Sequence, residues 1–118
     1  MGIFDKFKKN EKNNFDISNI SNDNVNKFLK SDQLKLVYLI SPDFGGSEER
    51  DNQVVVTPKA YDEKEMIDDE IYSFLEQEKS VKNFNVDLKY KGNSIVPSEI
   101  IITANIDDND YKKVIKVW

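Results

Sequence analysis

The chain has 118 residues, no cysteine, no histidine and a formal net charge of −5 at neutral pH. That is the length of one domain, enough to bury roughly two-thirds of its unfolded surface. The two missing residue types exclude disulfides, thiolate or imidazole metal sites and every Ser-His-Asp or Cys-His mechanism within this chain, while the negative balance argues against a general nucleic-acid binder.

The opening MGIFDKFKKN places Ile3, Phe4 and Phe7 on one side of a short amphipathic helix, with Lys6, Lys8, Lys9 and Lys12 around it. Such a helix is too short to hold alone, so residues 1–12 are expected to dock, fray or meet a membrane surface. There is no apolar h-region, and position 6 lacks the Ser or Thr that a myristoylation signal after Gly2 needs. No apolar run approaches a membrane span. The expected compartment is the cytoplasm, with membrane contact only through residues 1–12. The Lys-over-Arg and Asn-rich usage points to an AT-rich bacterial or phage genome.

From Asn10 to Asn26 the chain is rich in Asn, Ser and Asp, which favour turns and caps, so a linker anchored by Phe15, Ile17 and Ile20 is expected. Asp23 is the expected cap of a short helix, NVNKFLKS, with Val25, Phe28 and Leu29 on one side. Residues 1–32 thus read as an N-terminal arm, and 33–118 as a single α+β domain.

LKLVYLI, from Leu34, is apolar on both faces and reads as a strand inside a sheet rather than at its edge. QVVVT (53–57) is a second strand. The twelve-residue connection SPDFGGSEERDN between them exceeds what a hairpin requires. PKAYDEKEMIDDEIYSFLEQEKS follows as a long helix. Either Thr57–Pro58 or an Asp62/Glu65 capping box starts it, and Ile67, Ile71, Phe74 and Leu75 form its buried stripe. FNVDLKY (84–90), EIIITANI and KKVIKVW then read as an antiparallel meander with turns at Gly92–Asn93 and DDND. The expected architecture is α+β, an antiparallel or mixed sheet of about five strands (β-β-α-β-β-β) with the long helix on one face. Val37, Leu39, Ile101 and parts of VVV are expected to point away from that helix. The N-terminal helices or a second copy of the chain would cover them.

No motif names a reaction, and no stretch identifies a family. The Gly-Gly loop lacks the following helix and lysine of a phosphate cradle, and Glu48, Glu49 and Asp51 would repel phosphate. As a plain turn it uses Gly45 and Gly46 for positive φ; as a contact loop its anchors are Phe44 and Arg50, the chain's only arginine. Asp107, Asp108 and Asp110 invite a calcium reading, but Tyr111 and Lys112 stand at EF-hand positions 5 and 6. Glu99 and Asp87 are unremarkable as paired acids for glycoside chemistry. No metal or cofactor is expected.

The charge anomaly is the long helix. Between Ala60 and Lys79 it carries eight acids and two lysines, a local charge of −6. Asp62, Glu65, Asp69, Tyr72 and Glu76 recur at i, i+3, i+7, i+10 and i+14, forming one stripe opposite Ile71 and Phe74. A solvated face kept soluble by charge accounts for it plainly; a face that meets a basic partner is the sharper account. The leading expectation is a non-enzymatic binding protein, of immunity-protein or inhibitor type, that masks a basic surface on a protein. The alternatives are a membrane-associated or scaffold protein using residues 1–12, and a carboxylate- or lysine-based enzyme.

Overall fold

The computed structural model describes residues 15–118. The expected amphipathic helix in residues 1–12, and with it the membrane contact, lies outside the described residues. The elements are α1 (Val25–Lys30), β1 (Lys35–Tyr38), β2 (Gln53–Val56), α2 (Pro58–Glu76), β3 (Val81–Lys89), β4 (Glu99–Ile106) and β5 (Asn109–Lys116). Three-residue 3-10 turns at Ile17–Asn19, Pro42–Phe44 and Arg50–Asn52 interrupt them. No helix among the described residues is long and apolar enough to cross a membrane.

The fold is α+β, but its strands make two sheets, an antiparallel β1–β2 pair and an antiparallel β3–β4–β5 sheet. The expected single sheet of about five strands in β-β-α-β-β-β order is corrected accordingly. The two sheets are joined through side chains rather than backbone pairing. Val37, Val54 and Val56 share one core cluster with Ile100, Ile102, Ile115 and Val117.

Helix α2 starts at the Thr57–Pro58 signal. Thr57 accepts a hydrogen bond from the Ala60 N–H at 3.2 Å, and Pro58 stands where no N–H is needed. The helix ends in a Schellman motif. Glu78 sits at φ 61°, its N–H donating to Leu75 O and that of Lys79 to Phe74 O. Ile71 is fully buried and Ile67 and Phe74 partly so, whereas Leu75 in the last turn is 39% exposed.

Strand β4 is the centre of the larger sheet, with Ile100, Ile102, Ala104 and Ile106 turned inward. A two-residue turn joins it to β5. Asp107 (φ 49°) and Asp108 (φ 67°) both take the positive φ of a type I′ hairpin. Asp107 Oδ1 also accepts from the Ser80 N–H at 2.8 Å, tying the hairpin to the exit of α2. Strand β3 is bulged between Lys82 and Asn85, with Asn83 at φ 54°.

The expectation for the second face needs correction too. Val37 is buried in the core and Leu39 packs against it, so neither waits for a cover. The outward side of the β1–β2 ribbon instead carries Leu36, Tyr38, Gln53 and Val55. Ile101 lies across from Asp87 and Val114 on a sheet face otherwise made of polar side chains.

The chain before β1 joins the core through Ile20, Val25 and Phe28. Phe15 meets Phe28 edge-on at 4.9 Å, and the Ile95 N–H donates to Ile20 O. Asn24, not Asp23, is the cap residue of α1; its Oδ1 accepts from the Ser21 N–H at 2.8 Å. At the other end the Trp118 indole N–H donates to Val96 O at 3.0 Å, and Lys91 Nζ lies 4.6 Å over the ring.

An acidic cleft between the Ser41–Arg50 loop and the long helix

The loop after β1 is held in shape by one buried side chain. The Asn52 amide accepts from the Ile40 N–H at 2.9 Å and donates to Ile40 O and Ser47 O at 2.7 and 2.6 Å. Ser41 Oγ accepts from the Asp43 N–H, opening the 3-10 turn over Pro42–Phe44. The two glycines do different work. Gly45 takes a positive φ of 102°, whereas Gly46 makes room: a Cβ there would lie 1.7 Å from Ile40 O.

Phe44 turns inward. It meets Phe84 edge-on at 5.6 Å and packs on the cluster of Ile71, Ala104 and Ile106. This contact sets the loop beside α2. Ser41, Asp43 and Phe44 on the loop, with Glu65, Asp68, Asp69 and Tyr72 on the helix, line a cleft of about 330 Å³.

Beneath the cleft lies a buried ion pair. Lys64 has no exposed surface, and its Nζ donates to Asp68 Oδ1 at 2.6 Å, one helical turn on. Burial holds the Asp68 carboxyl above the usual carboxylate range. The hydrogen bond and charge of Lys64 oppose that shift, and neighbouring Glu65 and Asp69 add to it. On the flank of α2, the Tyr111 hydroxyl donates to Glu70 Oε1 at 2.6 Å. Burial raises the Tyr111 phenol above its ordinary value, and the Glu70 hydrogen bond and charge raise it further.

Of the residues singled out by sequence, Glu65, Asp69, Tyr72 and Phe44 come together around the cleft. Asp62 and Glu76 are exposed at the two ends of the same stripe and do not line it. Arg50 is exposed at the start of its 3-10 turn, also outside the lining. Among the described residues, none of Asp62, Glu65, Asp69 and Glu76 forms an ion pair. Tyr72 is 44% exposed, an aromatic wall on an anionic recess.

Sequence reasoning missed Asp43, which only the fold brings to the helix, and the Lys64–Asp68 pair. For the pair a signal existed. Ala60, Lys64, Ile67 and Ile71 are spaced i, i+4, i+7 and i+11, so Lys64 stands in the buried stripe and not on the solvated one.

Carboxylates converging beside an aromatic wall attract an ammonium or guanidinium group and give it both charge and stacking surface. No group of three or more acids among the described residues has the geometry to hold a metal ion. No protein-family model matches the chain, and no curated protein matches it.

Proposed function

We infer that this chain is a non-enzymatic acidic binding protein, of bacterial or phage origin, that masks a basic surface on a protein partner in the cytoplasm, in the manner of an immunity protein or inhibitor. The observation that carries the reading is the cleft, where Asp43 of the loop joins Glu65 and Asp69 of the helix beside the exposed Tyr72. Carboxylates without ion-pair partners among the described residues leave a negative potential that raises the association rate of a basic partner and disfavours acidic ones. A lysine-based enzyme draws no support from Lys64, which has no solvent access.

The test is capture of the partner from the native cell, followed by titration of that partner with Glu65→Gln/Asp69→Asn and with Asp62→Asn/Glu76→Gln. The cleft variant is expected to bind at least about tenfold more weakly and to show a flatter salt dependence. The stripe-end variant should lose less. Equal affinity and an equal salt slope for wild type and cleft variant would remove the cleft from this function.

A further inference from the structure

We propose that residues 1–12 act as an intramolecular cover, seating Ile3, Phe4 and Phe7 on the apolar groove between α1, the start of β1 and the first turns of α2. Leu29, Leu34, Leu36 and Tyr61 line that groove, about 350 Å³ in volume, and the exposed Asp32 stands at its rim. Leu36 is 44% exposed. It also borders a hollow of about 240 Å³ together with Tyr38, and faces Val55 across the ribbon. Exposed apolar side chains elsewhere have different surroundings. Met66 and Leu75 stand on the acidic helix, and Val114 lies on the polar face of the larger sheet. Around Leu36, by contrast, several apolar side chains adjoin one another, which is the surface that a small apolar segment covers.

The attachment point selects the occupant. The described chain begins at Phe15, which meets Phe28 edge-on at 4.9 Å, and Phe28 adjoins Leu29 on α1. The groove therefore starts within a helical turn of the place where the arm is tied down. Only Asn13 and Asn14 separate the arm from Phe15. The eight residues from Phe7 to Phe15 reach about 12 Å as helix and up to about 26 Å extended. So short a tether gives an effective concentration of about millimolar or more, and a modest apolar contact then suffices. Ile3, Phe4 and Phe7 have the i, i+1, i+4 spacing of one helix face.

Charge points the same way. Lys6, Lys8, Lys9 and Lys12 against Asp5 and Glu11 give the arm +2, which leaves −7 on the rest of a chain at −5. Asp32 at the rim and Asp62, beside Tyr61 on α2, are exposed acids that this arm complements. An anionic lipid surface would attract the arm but repel the −7 body behind it. A second copy of the chain would have to overcome the entropy of association that the tether removes. The cover stands on its own, whether or not the acidic cleft binds a basic partner.

Because the chain has no cysteine, Leu36→Cys carries a unique thiol whose labelling rate tests the proposal. Ile3→Ser/Phe4→Ser/Phe7→Ser in the same chain removes the apolar face of the arm and keeps its charge. The thiol at position 36 is expected to react at least about fivefold more slowly with the native arm than with the serine arm, and equally so on dilution. Met66→Cys, at a position 71% exposed on α2, should react alike with either arm. In the chain without any substitution, NOEs from the Phe4 or Phe7 ring to the Leu36 methyls are expected, and they support the cover even if Leu36→Cys itself unseats the arm. Equal labelling rates with no such NOE overturn it. Slowing that fades on dilution also overturns it, assigning the arm to a second copy. So does an arm without those NOEs that binds phosphatidylglycerol vesicles, which assigns it to a lipid surface.

Discussion

Lys64 and Asp68 form an ion pair at 2.6 Å in which the ammonium has no exposed surface and the carboxylate side chain keeps 11%. The two halves are therefore not equivalent. Asp68→Leu strands a charged amine in the core and is expected to cost about 3–5 kcal/mol in urea unfolding. Lys64→Met should cost less, because the remaining carboxyl borders the cleft and is already held toward its neutral form. The double variant Lys64→Met/Asp68→Leu should recover wild-type stability or exceed it. A double variant as unstable as Asp68→Leu alone would contradict this account.

Tyr111 controls an alkaline limit. Its phenol titrates above the ordinary value of 10.0 in the folded chain and at about that value when unfolded. The folded state thus binds this proton more tightly. The contribution is complete below about pH 10 and is lost as pH climbs toward the raised folded value. Absorbance of tyrosinate at alkaline pH should show one of the five tyrosines ionising last, together with a falling stability. Tyr111→Phe should abolish both the late phase and that part of the slope.

Glu78 occupies the left-handed position after α2, where glycine is the usual residue, and it sets a carboxylate at the negative end of the helix dipole. Glu78→Gly relieves both. Thermal unfolding should show a gain of about 1 kcal/mol.

Gly45 and Gly46 make opposite predictions from the same chemistry. Gly45→Ala meets open space and only conformational strain, about 1 kcal/mol. Gly46→Ala drives a methyl into Ile40 O and must shift the strand end or the Asn52 bridge, at a cost of at least about 2 kcal/mol. Comparable melting temperatures for the two variants would show that the loop is not built as described.

Glu65 and Asp69 are like charges one turn apart on α2. Neutralising either should stabilise the fold by about 0.2–0.5 kcal/mol, more at low salt than at high. A residue whose removal strengthens the fold while weakening partner capture is retained for binding. If Glu65→Gln leaves stability unchanged at low salt, the stripe is already relaxed by its solvent.

Much of the architecture could be read from local rules. Thr57–Pro58 names the start of α2, the alternation of EIIITANI names β4, and the i, i+3, i+7 spacing of Asp62, Glu65 and Asp69 places them on one exposed face. Pairing was less legible. Periodicity says that Val37 and Ile100 are buried, but not whether their strands share hydrogen bonds or only a core. Lys64 is hidden by its own chemistry, since lysine is almost never fully buried without a partner, and in the sequence that partner, Asp68, reads as one more acid of the helix. Asp43 and Phe44 reach the helix through a loop whose geometry depends on Asn52, a contact that spans twelve residues from Ile40.

The chain has a single tryptophan, and the structure places it where strand β5 runs out against the segment before β4. Its indole is bonded to a carbonyl and roofed by an ammonium, both supplied by that segment. Emission from this one fluorophore therefore reports the seating of the C-terminal tail without any added label. Quenching and spectral shift at Trp118 offer a direct optical handle on whether that end of the sheet stays closed when the opposite end, with its cleft, is occupied.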